Sequence, residues 1–261
     1  MPKFSANLSM LFTDLPFPER FTAAAEMGFS AVEYLFPYEY EPEMLRRLLT
    51  ENGLMQVLFN LPAGNWADGD RGIACDPARV EEFRAGVAQA VAYAKALGTP
   101  RLNCLAGKLP ANVDENQAWN ALVDNLRLAA GELAKVGCTL LVEFINRKDI
   151  PGFFLHGSGQ TLRLLDAVNA PNLLMQYDVY HAQREEGELT GTLRANIARI
   201  GHIQVADNPG RHQPGTGEIN FPFLFNEIDR LGYQGHIGLE YVPTPDTRAS
   251  LEWIHRMGLR A

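Results

Sequence analysis

Short apolar runs alternate with longer segments of helical periodicity along the whole chain, eight times over. The runs are KFSANLS (3–9), AVEYLF (31–36), MQVLFNL (55–61), RLNCLA (101–106), TLLVEFI (139–145), LLMQYDVY (173–180), GHIQVA (201–206) and HIGLEYV (236–242). Each has the length of one strand and the near-continuous apolar character of a strand covered on both faces. In the segments between them, such as 17–28, 43–53, 78–98 and 118–137, apolar residues recur every three or four positions, and several end in glycine, as helix C-termini do. Strand and helix in strict alternation imply parallel strands joined by right-handed crossovers. A count of eight, with no GxGxxG turn after the first strand, favours a closed barrel over an open doubly wound sheet. The sequence therefore predicts an α/β fold, a (β/α)8 or TIM barrel, built as a single domain over 1–261.

A barrel of this kind places its chemistry at the C-terminal ends of the strands and in the loops that follow them. Four of the runs carry an oxygen-bearing side chain near that end: Glu143, Asp178, Gln204 and Glu240. Their spacings of 35, 26 and 36 residues are close to one strand plus one crossover, so consecutive units bring them onto one rim. Three loops on that rim exceed the usual two to six residues. They span 62–76 with Trp66 and Arg71, 146–157 with Arg147, and 207–220 with Arg211, His212 and Glu218.

Three convergent carboxylates repel one another unless protons or a cation neutralise them. An all-oxygen set suits a hard divalent ion, Mg²⁺ or Mn²⁺, rather than zinc. Such an ion can polarise the oxygens of an α-hydroxycarbonyl compound while two carboxylates exchange a proton with its carbon, and Glu143 and Glu240 are the natural pair. A substrate bearing its own carboxylate needs a cation to grip it; Arg211 is the first candidate and Arg71 the second. His181, three residues after Asp178, is placed to reach a substrate oxygen. His202 lies two residues before Gln204 on the same side of its strand, but deeper, and reads as structural. PGTGE (214–218) invites a phosphate site, although its glycines suffice for a turn and Asn220 reads as the cap of the next helix.

Composition narrows the partners. A net charge of −8 argues against nucleic acid and anionic membranes, and no apolar window reaches the ~18 residues of a membrane span. Cys75, Cys104 and Cys138 are odd in number and lack CxxC spacing, which fits a reduced, cytoplasmic setting without disulfides. The N-terminus does not read as a signal peptide. A homo-oligomer is compatible with the chain.

The stretches SANLSMLF, AVEYLFPY, PAGNWADGDRG, the run from Glu143 through PGFFL, QYDVYHAQ, HIQVAD, PGRHQPGTGEINF and GLEYVP resemble the hydroxypyruvate isomerase and 2-oxo-tetronate isomerase family, within the xylose isomerase-like barrels. The resemblance runs from Asn7 to about Tyr241. It implies interconversion of hydroxypyruvate and 2-hydroxy-3-oxopropanoate, Glu143 and Glu240 as proton donor and acceptor, and metal ligation by Glu143, Asp178, Gln204 and Glu240. Gln204 stands where the wider superfamily often has histidine. The alternatives are a four-carbon oxo acid as substrate, a dehydratase or epimerase of sugar ketones, or a non-catalytic carbohydrate-binding barrel. A DNA-repair nuclease on this scaffold would need more histidines and a basic groove.

Overall fold

The computed structural model describes residues 1–261. Eight parallel strands, β1 (Lys3–Asn7), β2 (Ala31–Glu33), β3 (Met55–Asn60), β4 (Arg101–Leu105), β5 (Thr139–Glu143), β6 (Leu173–Asp178), β7 (Ile200–Val205) and β8 (His236–Leu239), close in sequence order into a barrel. Closure is made by β1 pairing with β8, from Lys3 opposite His236 to Ala6 opposite Leu239. Helices lie between successive strands: α1 (Glu19–Glu26), α2 (Pro42–Glu51), α3 (Val80–Leu97), α4 (Glu115–Ala134), α5 (Ser158–Val168), α6 (Val179–Glu185), α7 (Leu189–Asn196) and α8 (Phe221–Arg230). After β8 come two short helical turns, α9 (Thr247–Ser250) and α10 (Glu252–Arg256).

All eight expected strands are present, and the differences at their ends have local causes. The second run leaves the ladder after Glu33 because the Leu35 N–H donates to Ser9 Oγ at 2.9 Å instead of to a neighbouring strand. The eighth stops at Leu239, and the Val242 N–H turns to the carbonyl of Arg211 at 2.7 Å. The fourth helix begins three residues earlier than its apolar period suggests, since Asp114 and Gln117 form a reciprocal capping box. Asn220 caps α8 as expected, its side chain accepting from the Phe223 N–H.

The apolar core lies between the strands and the surrounding helices, where Leu122, Leu126, Ala129 and Leu133 of α4 are buried. Inside the barrel the layers are unusually polar. Ser5, Asn7, Glu33, Asn60, Asn103, Glu143, Gln176, His202 and Gln204 are all buried. Polar groups removed from water need partners, so this interior is a hydrogen-bond network rather than a stack of aliphatic side chains. The three cysteines are buried and free, and no helix is long and apolar enough to cross a membrane.

Candidate active site

The strand register sets the site. Glu143 ends β5 opposite Gln176, Asp178 ends β6 opposite Gln204, and Gln204 in turn lies opposite Gly238 of β8. Glu240 follows β8 directly. Glu143, Gln204, Glu240, His181, Arg211 and Arg71 line one cavity of about 340 Å³ at this end of the barrel. Asp178 adjoins it, with a carboxylate oxygen within 4.8 Å of ligand atoms of Glu143 and His181. Residues read separately from the sequence are therefore neighbours.

Burial raises the proton affinity of these acids. Glu143 is held well above the usual carboxylate range, first by burial and then by the charges of Glu240 and Asp178. Burial also raises Asp178, against the pull of Arg211. Glu240 is pushed up to about 8 by burial, opposed by Arg211 and reinforced by Asp178. Two amides limit the repulsion at Glu143, with Asn103 Nδ2 and Gln176 Nε2 each donating to Oε2 at 3.0 Å. Arg211 is the cation that pairs with these acids. Its Nη2 donates to Glu240 Oε1 at 3.0 Å and lies 3.5 Å from Asp178 Oδ2. The Arg211 backbone sits in the left-handed region at φ 57°, uncommon for a residue with a Cβ and strained unless its surroundings enforce it.

His181 has a defined tautomer. The Asp149 N–H donates to Asn146 Oδ1, which turns the Asn146 amide nitrogen toward His181 Nδ1 at 2.7 Å. Nδ1 therefore accepts, and the proton of the neutral ring sits on Nε2, 3.7 Å from Asp178 Oδ2. Burial, with Arg211 and Arg184 nearby, lowers the ring's pKa well below the ordinary histidine value and keeps it neutral. His181 thus presents an N–H to the site. It suits a substrate oxygen better than a cation, although it stands among the acids.

The donor chemistry fits a hard divalent cation. Asp178 Oδ2 is buried without a hydrogen-bond partner, and the surrounding donors are oxygens once His181 presents its N–H. The four expected ligands do not play equal parts. Glu143 and Asp178 approach one another, while Glu240 is engaged by Arg211. Gln204 is gripped on both sides, its Nε2 donating to Glu33 Oε1 at 2.8 Å and its Oε1 accepting from Gln176 Nε2 at 2.7 Å.

The loop residues divide. Arg71 reaches the cavity with its guanidinium stacked 4.1 Å from the Trp66 ring and bonded to the carbonyls of Trp66 and Asp70. Arg147 faces a different surface pocket and pairs with Glu185. The glycine turn at 214–218 uses its own amides internally: Gly215 N and Gly217 N donate to Asp207 Oδ2 at 2.9 and 2.8 Å. An internal carboxylate thus takes the place a phosphate would occupy. His202 is structural, with Nε2 lying 2.8 Å from Glu33 Oε2.

Glu33, Asn103, Gln176 and Asn146 escaped the sequence reading. Glu33 had a signal, since AVEYLF embeds an acid in an apolar run as the runs of Glu143, Asp178 and Glu240 do. Gln176 had a weaker one, two residues before Asp178 and so on the same face of β6.

Comparison with known proteins places these features in context. A family model described as xylose isomerase-like TIM barrel matches residues 21–257. The chain is 53% identical over 254 residues to hydroxypyruvate isomerase of Escherichia coli (strain K12), covering 97% of this chain and 98% of that protein. It is 45% identical over 254 residues to 2-oxo-tetronate isomerase of Cupriavidus necator, again covering 97% and 98%. The crystal structure of AP endonuclease, family 2 from Brucella melitensis superposes with a TM-score of 0.96 at 41% identity, covering 98% of this chain and 99% of that one.

Proposed function

The chain belongs to the xylose isomerase-like TIM barrel family and is an isomerase of the hydroxypyruvate isomerase kind, and we propose that it interconverts hydroxypyruvate and 2-hydroxy-3-oxopropanoate through an enediolate. The observation that carries this reading is the pair of buried carboxylates, Glu143 and Glu240, facing one cavity with an arginine and a neutral histidine N–H beside them. In the forward direction one carboxylate takes a proton from C3 of hydroxypyruvate. The electron pair moves to the C2–C3 bond, and the other carboxylate delivers a proton to C2. The hydroxyl hydrogen leaves the oxygen on C3 and one is gained by the oxygen on C2, so the product has the same composition. Since the reverse reaction exchanges the two roles, both groups need pKa values near neutrality, and burial lifts both in that direction.

Glu143, Asp178, Gln204 and Glu240 would hold a divalent cation, Mg²⁺ or Mn²⁺, which when bound would supply Lewis-acid polarisation of the substrate oxygens. His181 donates its Nε2–H to a substrate oxygen. Arg211, with Arg71 beyond it, takes the substrate carboxylate. The aliphatic side chains of Met10, Leu35, Leu105, Ile145 and Ile150 line other parts of the cavity and limit water around the reacting carbons.

A nuclease reading is disfavoured by the chemistry of the cavity, which has one histidine among carboxylates and amides. Turnover of hydroxypyruvate and of 2-oxo-tetronate in D2O, with Mg²⁺ or Mn²⁺ added, tests the proposal. Isomerisation with deuterium entering at the carbon that is reprotonated, and preference for the three-carbon acid, is expected. Preference for 2-oxo-tetronate would reassign the substrate, and no conversion of either would overturn the reading.

A further inference from the structure

Glu33 is a fully buried carboxylate at the end of β2, and every direction around it is used. Ser5 Oγ donates to Oε2 at 2.8 Å, and His202 Nε2 lies 2.8 Å from the same oxygen. Gln204 Nε2 and Asn7 Nδ2 donate to Oε1 at 2.8 and 3.2 Å. The fold makes room for this group deliberately, because a Cβ on Gly238 would sit 2.3 Å from Glu33 Oε1.

A carboxylate surrounded in this way only accepts. The glutamine beside it must turn its amide nitrogen to Glu33, which sends Oε1 to the side where Gln176 lies. There Oε1 accepts from Gln176 Nε2, the same nitrogen that donates to Glu143 Oε2. A chain therefore runs from Glu33 through Gln204 and Gln176 to Glu143, with a carboxylate accepting at each end and the Gln176 amide nitrogen donating in both directions. A glutamine free to flip would present N–H and oxygen to the cavity about equally, and the N–H face repels a cation.

We infer that Glu33 is a positioning residue that holds Gln204 with its amide oxygen toward the cation site, so that a neutral side chain serves where a charged ligand or an imidazole would otherwise be needed. The inference rests on the proposed cation site. Its closest physical analogue is the carboxylate behind a metal-bound histidine, whose loss weakens metal affinity roughly 10- to 100-fold.

Mn²⁺ binding, followed by electron paramagnetic resonance without substrate, tests it in four proteins: the parent, Glu33→Gln, Gln204→Glu, and the double variant. Glu33→Gln is expected to bind Mn²⁺ roughly 10- to 100-fold more weakly than the parent. The double variant Glu33→Gln/Gln204→Glu reverses the hydrogen bond while keeping an oxygen toward the cation, and is expected to bind more tightly than Gln204→Glu alone, where two carboxylates collide. A purely structural role would lower the melting temperature and leave the Mn²⁺ affinity of the folded protein unchanged. Parent-like affinity in Glu33→Gln, or a double variant no better than Gln204→Glu, overturns the inference. If Glu33→Gln does not fold, the comparison of the double variant with Gln204→Glu decides alone. A parent that binds no Mn²⁺ overturns the cation site and this inference with it.

Discussion

Arg211 Nη2 donates to Glu240 Oε1 at 3.0 Å, tying the loop after β7 to the residue that follows β8. The same guanidinium stands 3.5 Å from Asp178 Oδ2 and 5.1 Å from the Tyr180 ring, and its Nε is buried without a partner. This guanidinium fork, which offsets the acids, lines the cavity and keeps one unpaired N–H, is the group proposed to receive the substrate carboxylate.

Arg211→Lys replaces that fork with a point charge. The Michaelis constant for the oxo acid should rise roughly 10- to 100-fold, the worth of one or two charge-assisted hydrogen bonds. Mn²⁺ affinity should change much less. Steady-state kinetics beside a Mn²⁺ titration checks both, and an unchanged Michaelis constant would hand the carboxylate to Arg71.

Glu143→Gln and Glu240→Gln each remove one of the two proposed proton carriers while keeping size and shape. Each should lower kcat by roughly 10²- to 10⁴-fold. Exchange of substrate carbon hydrogen with D2O, followed by NMR, separates the roles: the variant lacking the base for a given direction loses exchange from that substrate. Losses below about tenfold in both variants would refute the acid–base assignment.

Chelator-treated protein should lose stability as pH rises. Glu143, Asp178 and Glu240 have folded-state pKa values above those of ordinary carboxylates, so the native state holds more protons than the unfolded chain. Their stabilisation is complete below the unfolded values and disappears as pH climbs through the folded ones. For Glu240 the window runs from about 4.5 to about 8. Glu33, lowered by His202 and its hydrogen bonds against the effect of burial, has the opposite sign and acts only at lower pH. Melting temperatures measured across the window should fall without cation and flatten with saturating Mn²⁺; a flat profile in chelator would contradict the shifts.

Asp207→Ala should loosen the loop that presents Arg211. Its carboxylate accepts from four backbone N–H groups, of Asn208, Gly215, Gly217 and Ile219. Leaving these unpaired should cost about 3 kcal/mol or more, lowering the melting temperature by roughly 6 °C or more and raising the Michaelis constant. A melting temperature within about 2 °C of the parent would show that the loop holds itself without Asp207.

The barrel was legible because its determinants are periodic and local. Alternating apolar runs and helical segments specify strand and crossover, and eight such units leave few topologies open. The same periodicity placed Glu143, Asp178, Gln204 and Glu240 at one end, since a strand's C-terminus is known once the strand is known. Arg211 and Arg71 were legible as rim residues for the same reason, and the structure sets both against the cavity.

What those residues do to one another was decided by barrel closure. Glu33 and Gln204 are 171 residues apart, and no spacing rule links them; they meet because β1 pairs with β8 and brings β2 and β7 across the interior. The orientation of the Gln204 amide and the tautomer of His181 each depend on a group from another strand or loop, and Arg211 meets Glu240 because the loop after β7 lies against the end of β8. Residue identity determined which oxygens, nitrogens and charges could be present. Only the tertiary structure determined which way each faces, because a donor or acceptor takes its direction from the partner that burial leaves it.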